Sequence, residues 1–250
     1  MRKCLVAISA IAALVIGVLS PVPSFAGPTA SPGKSVGNGP CLTSGNANSQ
    51  IQSTKNTNKA CVAALYKIGD TGPGGGKIFY VDSVGFNCGS DFSATGSPTF
   101  SKCHYLEVAP NDWYRSLPPQ GCYNNSEDPR MPWAIDEYLN ISIPGAREVA
   151  IGGGFKNSTQ IVYTIDRNYE CFAAGLARTY QNTTNLQWYL PSIEELQALQ
   201  QNQIAVGLTS FSFWSSTEND ASTAKDLGNF NAPGNGSKAT TTKIRPIRAF

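Results

Sequence analysis

Apolar and polar positions divide the 250-residue chain into three stretches. Leu5 to Leu19 is one apolar run, and Gly27 to Lys59 holds few residues able to enter a core. From Cys61 onward, short apolar segments alternate with polar, glycine-rich ones. Lys77 to Val81 (KIFYV) is rich in strand formers and follows the turn Gly72-Pro73-Gly74-Gly75-Gly76, so it reads as a strand. His104 to Val108 reads as its partner, with Cys88 and Cys103 placed to pinch the polar segment between them. Asn157 to Ile165 opens on polar capping residues and predicts a helix, as does the spacing of CFAAGLARTY from Cys171 to Tyr180. Ser192-Ile193-Glu194-Glu195 is the best helix start in the chain. Ser192 can cap the Glu195 amide while Glu195 reaches back, and Ile193, Leu196 and Leu199 then share a face. After Leu208 short strands return, separated by Asn/Gly turns such as Asn231 to Gly236, and the chain closes on an apolar-basic strand. Strands at both ends with helices between them predict an α+β domain.

The first two stretches set the compartment. Arg2 and Lys3, the Leu5–Leu19 run, the breaks at Pro21 and Pro23 and the small residues Ser24 and Ala26 have the layout of a signal peptide over residues 1–26. Residues 27–60 cannot offset their ordering entropy by burial and read as a flexible spacer. Residues 61–250 remain as one domain of ordinary size. Six cysteines follow the leader, and an even set in an exported chain reads as disulfides. Chain order alone pairs Cys41 with Cys61, Cys88 with Cys103 and Cys122 with Cys171.

Charge and missing residue types narrow the chemistry. The chain has 19 Lys and Arg, two of them in the leader, against 17 Asp and Glu, a balance that gives no general attraction to nucleic acid. The one basic excess, Lys238, Lys243, Arg245 and Arg248, reads as an anion patch or as structural ion pairs. A phosphate loop would need Gly at position 71 and Ser or Thr at 78, where Thr71 and Ile78 stand, so the glycine-rich turn reads as structural. Gly152-Gly153-Gly154 reads the same way. With His104 as the single His and no C-x-x-C pair, neither a zinc site nor a nucleophile–base pair is indicated. Glu107, Glu148, Glu194, Glu195, Glu218, Asp112 and Asp220 are the acids from which a glycosidase would draw its pair, and nothing in the spacing pairs them.

Two segments stay as candidates. Trp214 to Asp220 (WSSTEND) offers oxygen ligands at Glu218, Asn219 and Asp220. Calcium takes roughly six to eight such ligands and no Asp-rich loop stands nearby, so no metal or other cofactor is expected. The favoured reading is a core motif with Trp214 buried and Glu218 paired to Arg245 or Arg248 on the last strand. Trp113, Tyr114, Tyr123, Trp133 and Tyr138 lie in Pro- and Asn-rich sequence between Ala109 and Pro144. Aromatic faces with polar edges suit sugars and peptides, so the binding surface is expected here, with packing of the loop onto the domain as the other reading.

Three separated motifs, GDTGPGGGKIFYVD (Gly69 to Asp82), WYLPSIEEL with FWSSTE (Trp188 to Leu196, Phe213 to Glu218) and IRPIRAF (Ile244 to Phe250), carry a resemblance. Over Tyr66 to Phe250 the chain resembles the Lcl C-terminal domain family, which ends a collagen-like bacterial adhesin and is allied to the C-type-lectin-like and sulfatase-modifying-factor folds. The resemblance implies a C-type-lectin-like fold with its two ends in one sheet. It also implies an exported, non-enzymatic module that binds a surface glycan, cell-wall polymer or surface protein, alone or as a homo-oligomer. A structural subunit of an extracellular assembly and a carbohydrate-active enzyme are the alternatives. The oxidase branch of the superfamily depends on a reactive C-terminal cysteine pair, and no Cys follows Cys171. Nothing predicts membrane insertion after leader removal.

Overall fold

The computed structural model describes residues 66–89, 92, 102–117, 122–123, 127–165, 171–180, 187–209, 212–228 and 232–250. The leader, the spacer and the Cys41–Cys61 pairing lie outside the described residues. What is described is α+β, with two sheets and three helices.

The first sheet has the order β1-β2-β8, joining β1 (Lys77–Asn87), β2 (Lys102–Val108) and β8 (Ile247–Ala249), all antiparallel. The first and last strands of the domain thus flank β2. β1 runs six residues past its expected end because it bulges between Val81 and Phe86. Asp82 Oδ1 accepts the Val84 and Gly85 amides there, Gly85 has φ +82°, and pairing resumes at Phe86 opposite Cys103. The Cys88–Cys103 disulfide then closes the base of the hairpin.

The second sheet has the order β3-β7-β4-β5-β6. It contains β3 (Arg130–Met131), β4 (Phe213–Glu218), β5 (Thr223–Leu227), β6 (Pro233–Ser237) and β7 (Thr242–Lys243). β6 occupies sequence expected to be a turn. Its glycines suit a strand here because a Cβ at Gly234 would overlap Asp226 Oδ1 and one at Gly236 would meet the Trp214 ring. Every residue of β4 is buried. Its polar side chains bond inward: Ser215 Oγ donates to the Lys225 carbonyl, Ser216 Oγ to Pro191, and Thr217 Oγ1 to Glu148.

The helices are α1 (Gly154–Ile165), α2 (Ala173–Thr179) and α3 (Ile193–Gln201). α1 starts three residues before its expected Asn157 start. Asn157 does not cap; fully buried, it clasps the Glu148 backbone, accepting from its amide (3.0 Å) and donating to its carbonyl (2.7 Å). α3 has the expected capping box, and Ile193, Leu196 and Leu199 are buried. One core cluster gathers Trp113, Trp133, Trp188 and Trp214 with the inner faces of α1 and α2; the other gathers Phe79, Leu106, Tyr189 and Phe213 with α3. Among the described residues no helix is long and apolar enough to cross a membrane.

Candidate functional site

The glycine-rich turn before β1 is an anion cradle, and the anion is internal. Glu107, the one acid of β2, is fully buried among apolar neighbours. The Gly74 and Gly76 amides donate to its carboxylate at 3.0 and 2.7 Å. No side chain fits: a Cβ at Gly72 would overlap the Glu107 carboxylate, one at Gly74 would stand 2.8 Å from the Trp188 ring, and one at Gly76 would overlap the Val108 carbonyl oxygen. Arg248 of β8 supplies the counter-charge, with Nε 3.5 Å from Glu107 Oε2. Burial pushes the Glu107 carboxyl above its usual range, against the pull of the Gly76 amide, Arg248 and the Gly74 amide.

The second glycine run does the same for Glu195. Gly152 donates its amide to Oε1 at 2.9 Å, Ser192 donates to Oε2 at 2.7 Å, and the Tyr189 hydroxyl donates to Oε1 at 3.1 Å. A Cβ at Gly152, whose φ is +93°, would overlap the Asn87 carbonyl oxygen, and one at Gly154 would overlap Glu195 Oε2. Among the described residues, none of the bonds to this carboxylate comes from a cation. Burial pushes Glu195 up to about 7 against the pull of these donors, and burial beside Glu195 holds the Tyr189 phenol well above its usual value.

Two further buried acids hold loops. Glu218 pairs with a basic partner, as expected, but the partner is different: buried Lys238 reaches Oε1 at 2.7 Å and half-exposed Arg147 reaches Oε2 at 3.1 Å. Ser142 Oγ and the Ile143 amide complete the set, while Lys238 also donates to the Ile141 carbonyl at 2.9 Å and lies over the Trp133 ring. Burial raises the Glu218 carboxyl, but the Lys238 bond and the others outweigh it and leave it below its usual range. Both oxygens are taken by hydrogen-bond donors, which leaves no lone pair facing a calcium ion. The two arginines lie elsewhere: Arg248 pairs with Glu107, and Arg245 Nη2 donates to Asp128 Oδ2 at 2.8 Å. Arg245 also donates to the Ala109 carbonyl and to Asn111. Three members of the basic excess are therefore structural ion pairs.

The remaining acids do not converge on a shared site. Glu148 pairs with Lys156 at 2.7 Å, and Glu194 and Asp112 are exposed. Asp220 closes its own turn on the Ser222 and Thr223 amides, bonds that draw its carboxyl down to about 2. His104 Nδ1 lies 2.9 Å from the Asp82 carbonyl oxygen, a partnered His on the bulge.

The three resemblance motifs meet around this hub. Tyr189 pairs with Ile247 across an isolated bridge, the Ser216 amide donates to the Pro191 carbonyl at 2.7 Å, and Trp188 stands against Gly74.

The aromatic segment splits in two. Trp113 and Trp133 are core residues, 1% and 0% exposed, and cannot offer a face to a ligand. Their indoles donate inward, Trp133 to the Ser215 carbonyl at 2.9 Å and Trp113 to Asp128 at 3.4 Å. An indole is large enough that, beside so extensive a core, burial outcompetes display. Tyr114, Tyr123 and Tyr138 instead pack on the outside of that same cluster and stay half-exposed. The Arg115 guanidinium lies 5.9 Å from the Tyr114 ring centroid. The Cys122–Cys171 disulfide adjoins Tyr123 and ties its segment to the residue before Phe172 at the start of α2.

No family model and no curated protein matches the chain. Among solved structures, a fimbrial protein from Bacteroides ovatus ATCC 8483 is similar at 19% identity and a TM-score of 0.38, over 70% of this chain. The chain spans 44% of that protein's length.

Proposed function

We propose that the chain is an exported binding module that holds a surface glycan, cell-wall polymer or surface protein without covalent chemistry. Its binding face is the tyrosine surface of the 109–144 segment. The observation that carries this reading is the layering of that segment: Trp113 and Trp133 are locked in the core, and Tyr114, Tyr123 and Tyr138 ride half-exposed above them. Rings held on a rigid base lose little freedom on binding, which favours stacking and hydrogen bonding to sugars or peptides. A non-catalytic role is supported by the engagement of the acids a hydrolase would use, since Glu107, Glu195 and Glu218 are each taken up by internal donors. Two disulfides fit an oxidising compartment.

Kinship with the Lcl C-terminal domain and its C-type-lectin-like fold belongs to the same proposal. It is supported by the meeting of β1 and β8 on either side of β2 and by the mutual packing of the three motifs. The test is a panel of glycans, cell-wall polymers and surface proteins, read with and without a chelator, for the wild type and for Tyr114→Ala and Tyr123→Ala. Binding that survives chelation and falls by about tenfold or more in either variant supports the reading. Equal binding by all three proteins, or turnover of any panel member, overturns it.

A further inference from the structure

The two disulfides differ in kind. Cys88 and Cys103 are 3% and 8% exposed and lie in the β1–β2 hairpin, where Cys103 faces Phe86 across the ladder. Cys122 is exposed and Cys171 half-buried. The second bridge spans 49 residues of sequence and fastens the Tyr123 segment to the start of α2. α2 does not depend on it for its own seat: Phe172 is 1% exposed and the Ala173 amide donates to the Pro132 carbonyl at 2.9 Å. The core beneath is built on Trp113, Trp133 and Trp214, and neither Cys122 nor Cys171 is among its buried members.

From this difference we infer that Cys122–Cys171 is an exchangeable redox latch on the tyrosine face, while Cys88–Cys103 is a permanent staple. A reducing dithiol protein or small dithiol is the co-reactant. Its thiolate attacks the sulfur of exposed Cys122, the Cys122–Cys171 bond breaks, and the electron pair leaves on the Cys171 sulfur, which takes up a proton. The second thiol of the reductant then attacks the mixed disulfide and releases Cys122 as a thiol. The reductant departs as its own disulfide, so two electrons pass to the protein. Exposure sets the order of reaction, because the attacking thiolate must approach along the S–S axis of an accessible sulfur. Once open, the latch frees Tyr123 from its fixed position above the core. The consequence for ligand binding rests on the proposed function; the exchange itself does not.

The experiment is a dithiothreitol titration of the purified mature protein, trapped with iodoacetamide and mapped by peptide mass spectrometry. Near-UV circular dichroism follows the buried tryptophans. The inference predicts alkylation of Cys122 and Cys171 at reductant concentrations about tenfold below those that open Cys88 and Cys103, with the aromatic signal kept. Simultaneous opening of both bridges, or loss of the aromatic signal together with Cys122–Cys171, overturns it. Nitration of Tyr123, read on the same peptides, should rise several-fold in a Cys122→Ser, Cys171→Ser double variant that keeps the wild-type near-UV signal. Unchanged nitration in that folded variant also overturns the latch. If the wild type binds no member of the panel above, the proposed function fails, and the alkylation order still decides this inference.

Discussion

The turn at residues 72–76 and the turn at residues 152–154 solve the same problem with and without a counter-ion. Each is a glycine run that brings backbone amides close enough to hold a buried carboxylate, Glu107 in the first and Glu195 in the second. Arg248 stands beside Glu107, whereas Glu195 has amides and the Tyr189 hydroxyl. Uncharged donors cannot match the hydration that a carboxylate loses on burial, so Glu195 holds its proton up to about 7. Burial raises Glu107 as well, against the pull of the Gly76 amide, Arg248 and the Gly74 amide. The difference teaches what each clasp is for. The ion-paired clasp ties the turn before the first strand of the domain to the last strand. The neutral clasp tightens as the surroundings turn acidic.

The largest effect should come from removing the space both clasps need. Gly76→Ala and Gly152→Ala each drive a methyl group into a backbone carbonyl oxygen, and the second also forces a left-handed φ of +93° on alanine. Each should cost more than about 4 kcal/mol and abolish the folded form, read by circular dichroism and yield. Arg248→Met strips the first clasp of its cation and leaves Glu107 buried against amides only. A loss of about 3–5 kcal/mol in urea unfolding is expected.

Glu195 sets a pH slope with a definite sign. Its folded value of about 7 lies above the ordinary 4.5, so the native state binds more protons than the unfolded chain between those values. Stability therefore falls as pH rises from about 4.5 to about 7, by roughly 3 kcal/mol in all, and is flat outside that window for this group. Glu195→Gln should erase that slope while lowering stability at pH 5 by about 1–3 kcal/mol, since one amide loses its acceptor. A profile unchanged by the substitution would reject the neutral clasp. The smallest effect belongs to Ser192→Ala, which removes one half of the capping box and should cost about 1 kcal/mol while keeping the sign of the pH slope.

Local rules reached far along this chain. The capping box at Ser192, the β1–β2 pairing, the Cys88–Cys103 bridge and the burial of Trp214 were all legible, because each depends on neighbours in sequence or on a strong side-chain preference. The partners of the buried charges were not. Glu218 and Lys238 are brought together by the β4–β5–β6 meander and by a loop that delivers Ser142 and Ile143, none of which has a periodic signature. Asp128 gave no signal at all, although it receives Arg245. A signal for Glu107 was present: one acid inside the apolar run of β2, with an arginine in the closing strand. The glycine runs were correctly read as structural, but their reason, an internal carboxylate, needed the fold. Trp113 and Trp133 misled because Pro- and Asn-rich surroundings mark an irregular backbone and say nothing about depth.

The central claim is that glutamates of the chain itself fill both glycine cradles. Carboxyl-carbon NMR of the protein, titrated from pH 3 to pH 9 with Glu107→Gln and Glu195→Gln as assignment controls, tests it most directly. The account predicts that Glu195 titrates near 7 and Glu107 above its ordinary range, with neither resonance moved by added phosphate or acetate. Both groups titrating near 4.5, or either one responding to added anion, would contradict it.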